Sequence, residues 1–132
     1  MFPSEAFKRD EFACRCGCGF NTVDAELLAF LDALRETLRS ALQRSVRIKV
    51  TSGCRCKKYN KSVNGAPKSL HTTGRAADIQ CDRFEGTWGR IAPDYVAEIA
   101  DTLKAKGLGR YNTFTHIDSR DANARWDNRT ED

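Results

Sequence analysis

Residues 69–78 read Ser69-Leu70-His71-Thr72-Thr73-Gly74-Arg75-Ala76-Ala77-Asp78. A histidine, a turn glycine and two small residues lead into an aspartate that opens a strand. Some 38 residues after Asp78, the run Phe114-Thr115-His116-Ile117-Asp118 holds the chain's other histidine, again beside a carboxylate. A single histidine is more often a core or surface residue than a ligand. Two of them, each in a short strand-edge motif with an aspartate, point to a shared site. His71, Asp78 and His116 together make the three-ligand set of a catalytic zinc, which keeps its fourth position open. Because side chains alternate along a strand, His116 and Asp118 share a face. Asp118 can then hydrogen-bond a water or a neighbouring group while His116 binds the metal.

Working outward, Ser52 to Leu70 is polar and glycine-punctuated, hence a loop. Ahead of it Val46, Ile48 and Val50 alternate with Arg47, Lys49 and Thr51, a strand with one buried face. Earlier still, Leu27, Phe30, Leu31, Leu34, Leu38 and Leu42 recur at helical spacing. Thr22 can cap that helix, and Asp24 and Glu26 suit the positive end of its dipole. Downstream, Ala76 to Cys81 reads as a short strand. A second helix follows Pro93, with Val96, Ile99, Ala100 and Leu103 on one face and Gly107 as its stop. Thr113 to Asp118 is a further strand. The fold expected is α+β, a small antiparallel sheet packed against helices, with residues 1–132 as one unit.

The 132 residues suffice to bury a core, and 40% hydrophobic with 30% charged residues argues against disorder. No apolar run approaches the roughly 18 residues that would insert in a bilayer. The opening MFPSEAFKRDEF lacks the cationic and apolar regions of a secretory signal, so the chain is expected to accumulate in the cytosol. The net charge of +4 is a mild excess. The clusters Lys57, Lys58, Lys61 and Arg120, Arg125, Arg129 are too sparse, and too poor in aromatics, to mark a nucleic-acid surface. They read as a solvated basic face or as steering towards a polyanion. Cys14, Cys16, Cys18, Cys54, Cys56 and Cys81 include no C-x-x-C spacing. They are open to three readings: unremarkable thiols, disulfides formed in an oxidising space, or a second, structural metal.

The pattern S-x-H-x-x-G-x-A-x-D with a later H-x-D strand resembles the zinc D-alanyl-D-alanine carboxypeptidases and murein endopeptidases. That group includes phage endolysins and shares its fold with the hedgehog signalling domain. Thr51-Ser52-Gly53-Cys54-Arg55, Tyr59-Asn60 and Gly65-Ala66 resemble the family's approach to the metal. Gly109-Arg110-Tyr111 and Arg125-Trp126 resemble its ending, so the likeness spans roughly residues 12 to 127. It implies a zinc peptidase of hedgehog-type fold with His71, Asp78 and His116 as ligands, Arg55 as a substrate-gripping catalytic arginine, and Ser69 and Tyr111 as further substrate-binding residues; a surface salt bridge for Arg55 and a plain turn for Ser69 are the other readings. The family's pattern is broken at one place. Several branches carry an acidic general base three residues before the last ligand, where this chain has Thr113. The acid/base role is therefore expected of Asp118, with support of His116 or Arg120 as its other reading.

The activity so implied is hydrolysis of peptide bonds in bacterial peptidoglycan, by a monomer that takes no nucleic acid and inserts in no membrane. A phage or prophage lysin held in the cytosol until a membrane pore releases it suits this. Two rivals stand beside it: a catalytically silent, zinc-containing wall-binding module of the same fold, and a metal or redox module built on the cysteines.

Overall fold

The structure, a computed structural model, describes residue 4 and residues 6–130. Helix α1 (Ala25–Leu42) precedes strand β1 (Val46–Ser52) and the short helix α2 (Lys57–Ser62). Strands β2 (Ala76–Phe84) and β3 (Trp88–Arg90), helix α3 (Pro93–Thr102) and strands β4 (Gly107–Arg110), β5 (Thr115–Asp118) and β6 (Ala124–Asp127) follow.

Strand β2 organises the sheet. Along one edge it pairs with β1, from Val46↔Arg83 to Ser52↔Asp78. Its other edge is shared, the first half by β5 and the last three residues by β3. Beyond β5 lie β4 and then β6, giving the order β1-β2-β5-β4-β6. The α+β architecture is as expected. The sheet differs from a purely antiparallel one in its last pair, since β6 runs parallel to β4.

The period-2 pattern assigns the two faces. Val46, Ile48, Val50, Ala77, Ile79, Cys81, Leu108 and Ile117 are buried in one core with Leu27, Leu31, Leu34 and Leu38 of α1 and Val96, Ala97 and Ala100 of α3. The intervening positions, among them Asp78, His116, Asp118 and Trp126, fall on the opposite face. The sheet thus turns its apolar side to the helices and its chemical side outward.

Three local expectations are corrected. Asp24, not Thr22, is the N-cap of α1, and its carboxylate accepts from the Leu27 N–H at 3.2 Å. A carboxylate there gains from the helix dipole as well as from the bond. Helix α3 ends at Thr102, and the chain leaves it through Lys104 at φ 64° rather than through a glycine. Gly107 instead opens β4. The loop after Ser52 contains the six-residue α2, too short to leave a periodic signal. No helix among the described residues is long and apolar enough to cross a membrane.

Candidate metal centre

Each half of the site is built by local rules. The Ser69 hydroxyl accepts from the His71 N–H at 3.2 Å and caps a single 3-10 turn, Leu70–Thr73. That turn presents the His71 ring to the sheet. Asp78 and His116 face each other as direct partners across β2 and β5, and Asp118 faces Ala76 two residues along. Parity then puts Asp78, His116 and Asp118 on one face.

The donor atoms converge. His71 Nε2 lies 3.4 Å and His116 Nδ1 3.0 Å from the same Asp78 oxygen. All three donor atoms lie within 4.8 Å of one another. A tetrahedral zinc with bonds of about 2.0–2.1 Å would hold its ligand atoms about 3.3 Å apart, close to these separations. The outer nitrogens fix the tautomers. His71 Nδ1 is 2.7 Å from the Gly53 carbonyl, which only an N–H can satisfy, so Nε2 keeps its lone pair for a metal. His116 Nε2 lies 2.8 Å from Asp118 Oδ2, which likewise frees Nδ1. The residues present fit a zinc ion.

The electrostatics follow from this packing. Burial alone would raise the carboxyl pKa of Asp78, yet the hydrogen bonds from His116 and His71 hold it well below the usual carboxylate range. Burial opposes the charge on His116 too, but Asp118 and Asp78 on its two sides raise its pKa in the metal-free site. Asp118 has no exposed side-chain surface. Arg120 donates to it from Nε at 2.8 Å and Nη2 at 2.7 Å, and its backbone N–H adds a third bond at 3.2 Å. Against the cost of burial, Arg120 and His116 hold the Asp118 carboxyl well below its usual range.

Arg55 reaches the same centre from the loop before α2. Its Nη2 stands 3.6 Å from Asp78 Oδ2. Nε donates to the Ser52 hydroxyl at 3.2 Å and Nη1 to Asn60 Oδ1 at 3.3 Å. Asn60 is itself buried and donates to the Ala66 carbonyl at 2.8 Å, so the end of β1 and helix α2 together fix the guanidinium. Tyr111 stacks on Phe114 with centroids 4.3 Å apart, and its hydroxyl accepts from Trp126 Nε1 at 2.9 Å. Thr113 is exposed ahead of β5, and its carbonyl accepts from Gln80, so no carboxylate stands at that position.

All seven residues singled out in the sequence (Arg55, Ser69, His71, Asp78, Tyr111, His116 and Asp118) line one cleft of about 800 Å³. Lys68, Arg120 and Trp126 join them there. The Trp126 ring lies over Gly109, 4.9 Å from the His116 ring and 5.1 Å from the Arg120 guanidinium carbon. Its assigning signal was available in part, because Gly107, Gly109 and Trp126 are small and large residues on one sheet face. What the sequence lacked was the parallel β4–β6 pairing that brings them together.

A family model described as Peptidase M15 matches residues 5–118. Comparison with curated proteins gives no match.

Proposed function

The chain belongs to the peptidase M15 family of zinc metallopeptidases, and on that premise we propose that it hydrolyses peptide bonds in bacterial peptidoglycan, with His71, Asp78 and His116 as its zinc ligands. The observation that carries this reading is the meeting of His71 Nε2, Asp78 Oδ1 and His116 Nδ1 at the floor of a cleft. When bound, zinc supplies the Lewis acidity that polarises a peptide carbonyl and activates water at neutral pH.

The chain's own residues position the reactants. Arg55, Lys68 and Arg120 outnumber Asp78 and Asp118 in the cleft lining, leaving it one positive charge in excess. A cell-wall peptide, with free carboxylates along and at the end of its stem, complements that charge. Arg55 is held at Ser52 and Asn60, so its fork is pre-organised for a carboxylate or carbonyl of the substrate. Tyr111, stacked on Phe114, offers an apolar wall with a polar tip. Ser69 acts one step back by orienting the His71 turn. Asp118 enters as a positioning residue rather than as the acid/base group suggested by the sequence. Both its oxygens are already engaged by Arg120 and His116, which ties the carboxylate to holding those two side chains. The lysin reading, monomeric and released to the wall through a membrane pore, extends the same proposal.

Purified peptidoglycan incubated with the zinc-loaded protein is expected to gain free amino groups and no reducing sugar ends. Mass spectrometry of the products identifies the bond. Chelation is expected to stop the release and added zinc to restore it. New reducing ends would mean glycan cleavage and end the proposal, as would inert wall from several sources with zinc fully loaded.

A further inference from the structure

Outside the cleft, four of the six cysteines gather at one point. Cys14, Cys16 and Cys18 come from the loop before α1, and Cys56 is the N-cap of α2. Their sulfurs all lie within 4.8 Å of one another. The measured pairs are Cys14–Cys16 at 3.5 Å, Cys14–Cys56 at 3.8 Å and Cys16–Cys56 at 3.7 Å. A disulfide requires about 2.05 Å, and a bond joins two sulfurs, not four. A tetrahedral zinc with Zn–S bonds of about 2.3 Å spaces its sulfurs about 3.8 Å apart. The observed distances match the second geometry. They also limit the site to a single ion, because an iron–sulfur cluster spreads its four thiolates over at least two irons and cannot keep all of them within 4.8 Å of one another.

We propose that Cys14, Cys16, Cys18 and Cys56 form a second, structural zinc site that ties the N-terminal loop to the segment bearing Gly53 and Arg55. The surrounding backbone suits thiolates. The Cys56 N–H donates to the Cys14 sulfur and the Tyr59 N–H to the Cys56 sulfur, each at 3.4 Å. The loop turns through Gly17 at φ +82°, a conformation that lets alternate residues 14, 16 and 18 converge rather than extend. Its base is closed by the Cys14 N–H donating to the Phe20 carbonyl at 2.7 Å. The other two cysteines do different work: Cys54 donates to the Phe20 carbonyl at 3.0 Å, and Cys81 packs in the core.

The site has a mechanical consequence for the cleft. Cys56 follows Arg55 directly, and Gly53, two residues before Arg55, provides the carbonyl that orients His71. The Cys54 N–H also donates to the Phe12 carbonyl, two residues ahead of Cys14. An ion at the four sulfurs would therefore clamp the Cys56 end of a short strap whose other end hangs on Phe12, and that strap fixes His71 and the cleft's arginine. It stands apart from the His/Asp site and does not depend on peptidase activity.

The test is metal content with a spectroscopic readout, on the full chain purified under reducing conditions. Wild type is expected to hold two zinc ions, and Cys16→Ser/Cys18→Ser, which changes only exposed residues, one. His71→Ala is also expected to hold one. Cobalt substitution is expected to give intense near-ultraviolet thiolate charge transfer in wild type and His71→Ala and none in the double variant. One zinc in wild type with no thiolate band under cobalt would overturn the proposal. So would equal metal content in wild type and double variant, or a disulfide among these four cysteines in the reduced preparation. The wild-type cobalt spectrum decides the matter even where a variant fails to fold.

Discussion

A methyl group placed at Gly107 should loosen the metal without touching a ligand. Gly107 is paired directly with Asp118 across β4 and β5. A Cβ built there would lie 2.0 Å from Asp118 Oδ1 and 2.2 Å from its Cγ, where ordinary contact needs well over 3 Å. The carboxylate would have to move by more than 1 Å. It cannot do so and keep its 2.8 Å contact to His116 Nε2 and its 2.8 and 2.7 Å bonds from Arg120. A hydrogen bond to a charged group is worth about 1.5–3 kcal/mol, and loss of a carboxylate partner behind a ligating histidine costs about 10–100-fold in metal affinity. The two scales agree, since tenfold is about 1.4 kcal/mol. Gly107→Ala is therefore expected to bind zinc about 10–100-fold more weakly, read by competition with a chromophoric chelator. Gly89→Ala is the matched control, because a Cβ there meets nothing within 4 Å. Overpacking is expected to cost Gly107→Ala about 1–3 kcal/mol of stability besides. A folded Gly107→Ala protein with the affinity of wild type would refute the claim that Asp118 holds His116 for the metal.

Asp118→Asn separates positioning from proton transfer. Weakened zinc binding, with turnover largely restored at saturating zinc, is expected; unchanged affinity with turnover down about a hundredfold would return the acid/base role to Asp118. Arg55→Lys keeps the charge but not the fork, so kcat/KM should fall about tenfold or more with zinc content unchanged; an unaltered kcat/KM would remove Arg55 from the substrate. In the metal-free protein, the folded pKa of His116 is raised above the ordinary 6.5. Its stabilising contribution is therefore full below about pH 6.5 and lost as pH rises through the raised value. The Tm advantage of metal-free wild type over metal-free His116→Gln should shrink as pH rises above 6.5, and a constant or growing advantage would contradict the sandwich of His116 between two carboxylates.

What the sequence made legible was whatever depends on neighbours a few residues away. The periodicity of α1 and the alternation of β1 are short-range, and both stand within a residue or two of their expected places. The convergence of His71, Asp78 and His116 was readable because histidine is scarce here and because each residue sits in a motif whose local geometry fixes its direction. Strands β3, β4 and β6, with three, four and four residues, carry too few side chains to show a period. The end of α3 was misplaced for a related reason. Glycine is the usual residue at a left-handed exit, but the buried Ala105 and Leu108 pull the chain back into the sheet at once, and Lys104 accepts the positive φ.

Asp118 shows where local reading stops. The sequence places it on the face of His116, and the same parity extends to Arg120, so His116, Asp118 and Arg120 follow one another at two-residue steps along one side of the chain. Adjacency alone leaves two roles for the carboxylate: a proton acceptor open to solvent beside the metal, or the buried partner of a guanidinium and an imidazole on which our proposed positioning role rests. The second is favoured by Gly107, eleven residues earlier, which gives up its side chain so that the carboxylate can sink against β4. Arg120 then follows it and meets Trp126 from β6. A residue that is absent in volume, on a strand too short to recognise, thus sets the burial of the most chemically suggestive aspartate of the chain.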